Sequence, residues 1–268
     1  LNKQIETGIG TETEENFMRN KLILLAAACA FAIPALAGPP APKSAGIESE
    51  GYKWNDQSGE KIEALKLKGD ATRGKEAYEV CGACHLPSGA GRPDGTFPQL
   101  AGQHATVLIK QIADIRAGLR DNPTMYPFAT TLTDPQELAD VAAYIQTLKI
   151  PHNNGKGPDT PAILSRGKEL YEKECLTCHG ANGEGDETKF YPVLAGQHYK
   201  YMHRQVTDIR DGKRRNANPD MVKIVKKYTD ADLDAVVAYM SRLEMPERMH
   251  KEEPAKKAEA KKGAAKKK

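Results

Sequence analysis

The sequence of 268 residues predicts an all-α chain built from two tandem copies of one small helical bundle. Three observations carry this. Apolar residues recur at helical spacing in two matching segments, a set of short motifs repeats at an offset of about 94 residues, and each half contains one Cys-X-X-Cys-His. With 28% charged and 39% hydrophobic residues, membrane-embedded and collagen-like chains are excluded. Aromatic residues make up only 6%, with the single tryptophan Trp54, so a core filled partly by a bound cofactor is expected.

Residues 1–17 precede a plausible initiator, Met18, and read as an upstream artefact. Residues 18–37 have the three parts of a secretory signal: the cationic Met18-Arg19-Asn20-Lys21, the apolar run Leu22 to Ile33, and Pro34-Ala35-Leu36-Ala37 with small residues before the cut. The apolar run is shorter than the roughly 20 residues of a spanning helix, so export to the periplasm is expected rather than a retained anchor. Residues 38–68, with Trp54, form an extension expected to pack on the first domain. Residues 246–268 form a Lys-rich tail. From Lys251 onward it holds eight lysines against Glu252, Glu253 and Glu259, which accounts for the basic excess of the +3 chain. Lacking an apolar face, the tail is expected to be solvated, with docking to an acidic partner or an anionic membrane surface as the alternative.

Between these ends lie the copies, residues 69–150 and 163–245, joined by a Pro/Gly/Asn-rich linker over 151–162. Arg73-Gly74-Lys75-Glu76-Ala77-Tyr78-Glu79 answers Arg166-Gly167-Lys168-Glu169-Leu170-Tyr171-Glu172. Leu100-Ala101-Gly102-Gln103-His104 answers Leu194-Ala195-Gly196-Gln197-His198, and Asp114-Ile115-Arg116 answers Asp208-Ile209-Arg210. After Thr133-Asp134-Pro135, a helix over Glu137 to Leu148 puts Leu138, Val141, Ala142, Ile145 and Leu148 on one face. Asp232 to Leu243 repeats it with Leu233, Val236, Val237 and Met240. Its packing partner is expected to be the helix entering the cysteine motif, where Gly74 and Gly167 allow close approach and Tyr78 and Tyr171 fill space one turn on.

Four cysteines remain in the folded part: Cys81 and Cys84 before His85, and Cys175 and Cys178 before His179. In Cys-X-X-Cys-His two thiols add to the vinyl groups of haem, and the adjacent imidazole ligates the iron. A four-cysteine zinc site would leave both histidines idle, and a thioredoxin-like pair would occur once. Two haem c groups are therefore expected as cofactors, with His85 and His179 as iron ligands.

Over residues 69 to 245 the chain resembles a two-domain class I cytochrome c, closest to the cytochrome c4 family. The resemblance implies that a proline carbonyl accepts a hydrogen bond from the second nitrogen of the haem histidine, and that a leucine two residues on packs on the ring. Pro98 with Leu100 and Pro192 with Leu194 match this pattern, each proline 13 residues beyond its histidine. It also implies a methionine as sixth ligand, from a loop before the last helix. Met125 in Asn122-Pro123-Thr124-Met125 and Met221 in Asn218-Pro219-Asp220-Met221 are the candidates, each nine residues ahead of an aspartate, Asp134 or Asp230. Met202 and Met240 fall in helical stretches. Met221 lacks a following proline and has Val222-Lys223 instead, a departure that bears on that loop's rigidity. His104 and His198, each 19 residues beyond a haem histidine, are the rival distal ligands. Arg116 and Arg210 read as surface charge, with haem propionates as the alternative.

An iron closed on both axial sides leaves no room for substrate, so the expected function is electron carriage between donor and acceptor redox proteins, with no nucleic-acid partner. The resemblance implies a quinol-oxidising complex as donor and a terminal oxidase as acceptor. The alternative is the dihaem subunit of an enzyme such as a flavocytochrome sulfide dehydrogenase. Catalysis of its own, peroxidatic or thiosulfate-oxidising, would require an open ligand position.

Overall fold

The computed structural model describes residues 41–244. The upstream residues, the expected signal segment and the Lys-rich tail lie outside them. Two helical units follow one another. The first contains α1 (Gly59–Lys66), α2 (Ala71–Ala77), α3 (Glu79–His85), α4 (Ala105–Arg116), α5 (Tyr126–Ala129) and α6 (Pro135–Thr147). The second contains α7 (Pro161–Leu170), a π-helical turn (Tyr171–Cys175), α8 (Leu176–His179), α9 (Tyr199–Arg210), α10 (Pro219–Val225) and α11 (Asp230–Met240). Among the described residues the only extended pairing is the single bridge between Asp186 and Tyr191.

Capping residues set the helix starts. The Asp70 carboxylate accepts from the Thr72 and Arg73 amides, Asp134 accepts from the Gln136 amide, and Thr229 and Asp232 form a reciprocal capping box. Proline occupies a first-turn position of α6, α7 and α10, where its missing amide hydrogen costs nothing. Leu138, Val141, Ala142 and Ile145 of α6 are buried in one core, and Leu233, Val236, Val237 and Met240 of α11 in the other.

In both units the last helix crosses the helix that leads into the cysteine motif. At Gly74 a Cβ would sit 1.9 Å from the Asp140 carbonyl oxygen, and at Gly167 2.1 Å from that of Ala235. Only glycine permits these backbones to approach so closely. One turn on, Tyr78 packs on Tyr144 with centroids 5.3 Å apart, and Tyr171 on Tyr239 at 5.5 Å. Arg73 and Arg166 fasten the same crossing through ion pairs to Asp140 (2.6 Å) and Asp232 (2.8 Å).

Three expectations are corrected. Helix α7 begins at Pro161, inside the segment read as linker, because Thr160 caps it by accepting from the Ile163 amide. Met221 is not a loop residue: Asn218 caps α10 and Pro219 opens it, so Met221 stands in the first helical turn, and without a proline after it the helix runs on to Val225. The extension packs on both units rather than on the first alone. Its α1 buries Ala64 in the first core. Upstream, Ser44 donates its amide to Gly118 (3.0 Å), while Ile47 donates to Arg215 (2.8 Å) and the Tyr52 hydroxyl to the Ala217 carbonyl (3.2 Å). Trp54 stacks on Tyr191 of the second unit and lies 5.5 Å from the Lys110 ammonium of the first.

Replacing Gly74 or Gly167 by alanine normally favours a helix by about 1 kcal/mol. Here the crossing reverses the sign, and a loss of about 1–3 kcal/mol in denaturant unfolding is expected for each.

Candidate haem sites

The two cysteine motifs are held in nearly the same way. Helix α3 carries Cys81, Cys84 and His85, the last two together one turn beyond the first. In the second copy the backbone makes one π-helical turn through Cys175 before α8 delivers Cys178 and His179. Single π turns of this kind are frequent at functional sites, and no periodicity in the sequence reveals this one. No disulfide joins the four cysteines. Burial pushes the Cys81 thiol up to about 11 and Cys175 up to about 12. A reactive redox dithiol requires a depressed thiol pKa, so these values oppose the thioredoxin-like reading. Among the described residues no cluster of His, Cys, Asp or Glu is arranged to hold a metal ion unaided, which leaves the zinc reading without a site.

Both motif histidines are buried, and each is fixed by one carbonyl. His85 Nδ1 donates to Pro98 O at 2.9 Å, and His179 Nδ1 to Pro192 O at 3.2 Å. With Nδ1 engaged as the donor, Nε2 is the nitrogen left to meet a metal. Burial lowers both imidazole pKa values against the opposing pull of the carbonyl bond, which favours the neutral form a metal requires. The residue after each histidine has positive φ, Leu86 at 66° and Gly180 at 79°. Its carbonyl accepts from the buried tyrosine of the preceding helix, Tyr78 to Leu86 at 2.9 Å and Tyr171 to Gly180 at 2.7 Å.

Leu100 and Cys81 border the first apolar core. Leu194 and Met221 border the second, which includes Cys175. Met125 is half-buried at the N-cap of α5, its amide held by the Asn122 side chain at 3.1 Å. Met202 and Met240 are buried core residues of α9 and α11.

His104 and His198 have other work. His104 Nε2 donates to the Glu184 carbonyl of the second unit (2.9 Å). His198 Nε2 donates to the Ala90 carbonyl of the first (2.8 Å), while its Nδ1 accepts from the Gly155 amide (3.0 Å). Both rings are engaged in joining the units, which counts against paired-histidine ligation. Arg116 pairs with Glu60 of α1 and Arg210 with Asp230, the first residue of α11.

Sequence reasoning misses a second arginine pair, Arg120 and Arg214, which repeats four residues after Arg116 and Arg210. Their guanidinium groups meet between the units and hydrogen-bond neutral acceptors: Gln111, Gln205, Asn216 and the Tyr201 hydroxyl. Desolvation, then the neighbouring Arg120 charge, lowers the Arg214 pKa to about 10. Tyr201 is lowered despite its own desolvation, because these guanidinium groups flank it. Asp114 and Asp208 oppose the Arg214 shift from nearby, and the carboxylates of haem propionates would supply further negative charge to the pair. Free thiols, neutral imidazoles and this pair together fit two haem groups.

The comparisons agree. The family described as cytochrome c matches residues 71–149 and again 164–244. Cytochrome c4 of Azotobacter vinelandii is 35% identical over 194 residues, covering 65% of this chain and 90% of that protein. This chain belongs to the dihaem cytochrome c4 family. A thiosulfate dehydrogenase electron acceptor of Stutzerimonas stutzeri is 32% identical over 196 residues, covering 67% of this chain and 90% of its own. The crystal structure of reduced cytochrome c4 from Pseudomonas stutzeri superimposes with a TM-score of 0.58 at 33% identity, covering 66% of this chain and all of that one. This cytochrome c4 homologue therefore carries two covalently bound haem c groups and transfers electrons; it is a carrier rather than an enzyme.

Each tyrosine-to-carbonyl bond behind a motif histidine is made by a buried tyrosine, so Tyr78→Phe and Tyr171→Phe should each lower unfolding stability by about 1 kcal/mol. Haem content by visible absorption should be unchanged.

Proposed function

We propose that this dihaem cytochrome is an exported, periplasmic carrier that shuttles electrons between respiratory complexes, from a quinol-oxidising donor to a terminal oxidase. The observation that carries this reading is the equivalence of the two sites: in both, a buried imidazole is fixed through Nδ1 by a proline carbonyl. Residues 69–150 and 161–245 would form the haem domains, with 38–68 as an extension and 151–160 as a linker. Cys81 and Cys84, and Cys175 and Cys178, would form the thioether bonds. His85 with Met125, and His179 with Met221, would be the axial ligands, and Leu100 and Leu194 would pack on the rings. Arg120 and Arg214 would face the propionates.

Bound haem supplies a one-electron ferric/ferrous couple. The chain's own residues do the rest. The proline carbonyls fix the imidazole tautomer and orientation, the four cysteine thiols would hold the group covalently, and thioether ligation favours a higher potential than a second imidazole would. Among the described residues no helix is long and apolar enough to cross a membrane. The relative that acts as a thiosulfate dehydrogenase electron acceptor supports a second reading, in which a sulfur-oxidising dehydrogenase is the donor. A stable complex with such an enzyme, found on co-purification, would favour it over the free carrier.

A redox titration followed by visible spectroscopy should count two haems and show a sulfur-to-ferric-iron charge-transfer band. Met125→Ala and Met221→Ala should each open one haem to carbon monoxide and remove part of that band. Carbon monoxide binding by the reduced unsubstituted protein would refute the closed-iron reading. For the tail, deletion of Lys251–Lys268 should weaken the salt dependence of electron transfer if it docks an acidic partner. Unchanged rates would leave it without that role.

A further inference from the structure

The two haem domains exchange a pair of glutamines. Gln197 of the second domain accepts from the Gln99 amide at 3.0 Å through Oε1 and donates to the Gln99 carbonyl at 2.9 Å through Nε2. Gln103 of the first domain does the same to Val193, accepting at 2.9 Å and donating at 3.1 Å. Each side-chain amide thus grips one residue of the opposite domain at two points. The gripped residues are not arbitrary. The Gln99 amide belongs to the same peptide group as the Pro98 carbonyl that holds His85, and the Val193 amide to that of Pro192, which holds His179.

A peptide group whose N–H donates becomes more polarised, and its carbonyl becomes a better acceptor. A stronger bond from Nδ1–H gives the imidazole more anionic character, which favours ferric iron. We propose that Gln197 and Gln103 are crossed positioning residues, each lowering the reduction potential of the haem in the domain opposite its own. This rests on the reading of His85 and His179 as iron ligands. The two clamps are unequal: Gln197 is buried at 7% exposure whereas Gln103 is half-buried, and a drier hydrogen bond polarises more strongly. The larger effect belongs to the haem of the first domain.

The test replaces each amide by a thioether of similar size, Gln197→Met and Gln103→Met, in the haem-loaded protein. Potentials are resolved haem by haem through the paramagnetically shifted NMR signals at intermediate reduction. Gln197→Met should raise the potential of the His85 haem, and Gln103→Met that of the His179 haem. At fixed poise the ratio of reduced to oxidised iron should change by about two- to fourfold, with the haem on the mutated side little altered. If a methionine variant does not accumulate, Gln197→Asn and Gln103→Asn, which shorten the side chain and withdraw the grip, should give the same crossed shift. Thr106→Val removes a different bond between the domains, from Thr106 Oγ1 to the Glu187 carbonyl (2.6 Å), and should shift neither haem. A shift on the mutated side, an equal shift of both haems, or the same shift from Thr106→Val would overturn the proposal in favour of general loosening of the interface. The ligand reading is checked on the unsubstituted ferric protein by the iron-bound imidazole signals of His85 and His179. Their absence overturns both ideas, whereas their presence with an uncrossed shift overturns the clamp alone.

Discussion

Each motif histidine depends on a single peptide group that is hydrogen-bonded on both sides. The carbonyl of Pro98 or Pro192 holds the imidazole, and the amide on the other side of the same bond is taken by the neighbouring domain. A buried peptide group must satisfy both its donor and its acceptor. Here that requirement cannot be met within one domain, so the position of each histidine and the junction between the domains are parts of one arrangement. His104 and His198 extend it, each closing on a carbonyl five residues beyond the motif histidine of the opposite unit. The small apolar contact of Ile150 with Val193 and Ala195 lies in the same region and adds burial to a junction that is otherwise polar.

The bundles themselves follow from sequence in a direct way. Helical period, caps and the glycine–tyrosine pair are local properties, and they place α2 against α6 and α7 against α11. The equal separation of His85 from Pro98 and of His179 from Pro192 is visible as spacing. What escapes are pairings between residues roughly a hundred positions apart, such as Gln99 with Gln197, because a side chain reaching into another domain leaves no periodic trace. Gln103 and Gln197 stand in a repeated pentapeptide, but the repeat alone suggests packing, and the histidine beside each is the more obvious ligand. Arg120 and Arg214 also repeat in register, yet arginine near a helix end reads first as solvated charge. Met221 reads as a loop residue because Asn-Pro suits a turn and a helix start equally well.

The copies are not equivalent in detail. Leu86 holds a positive φ that a non-glycine residue adopts only at a cost, where the second copy has Gly180. Asp114 is fully buried and gathers Lys61, Lys110 and Asn216 around its carboxylate, and burial lowers Lys110 to about 8. Its counterpart, Asp208, is only half-buried. The charged cluster of the first unit is therefore more desolvated than its counterpart in the second. The two copies thus place equivalent carboxylates in different dielectric surroundings.

The strap formed by residues 44–54 reaches Gly118 and Lys110 on one side and Arg215, Ala217 and Tyr191 on the other. Partners so distant along the chain impose an order on assembly. A ribosome releases this stretch early, yet half of its docking surface belongs to the portion made last. The strap can therefore settle only after the second domain has emerged and taken shape, so the earliest described part of the polypeptide is the last to lock in place.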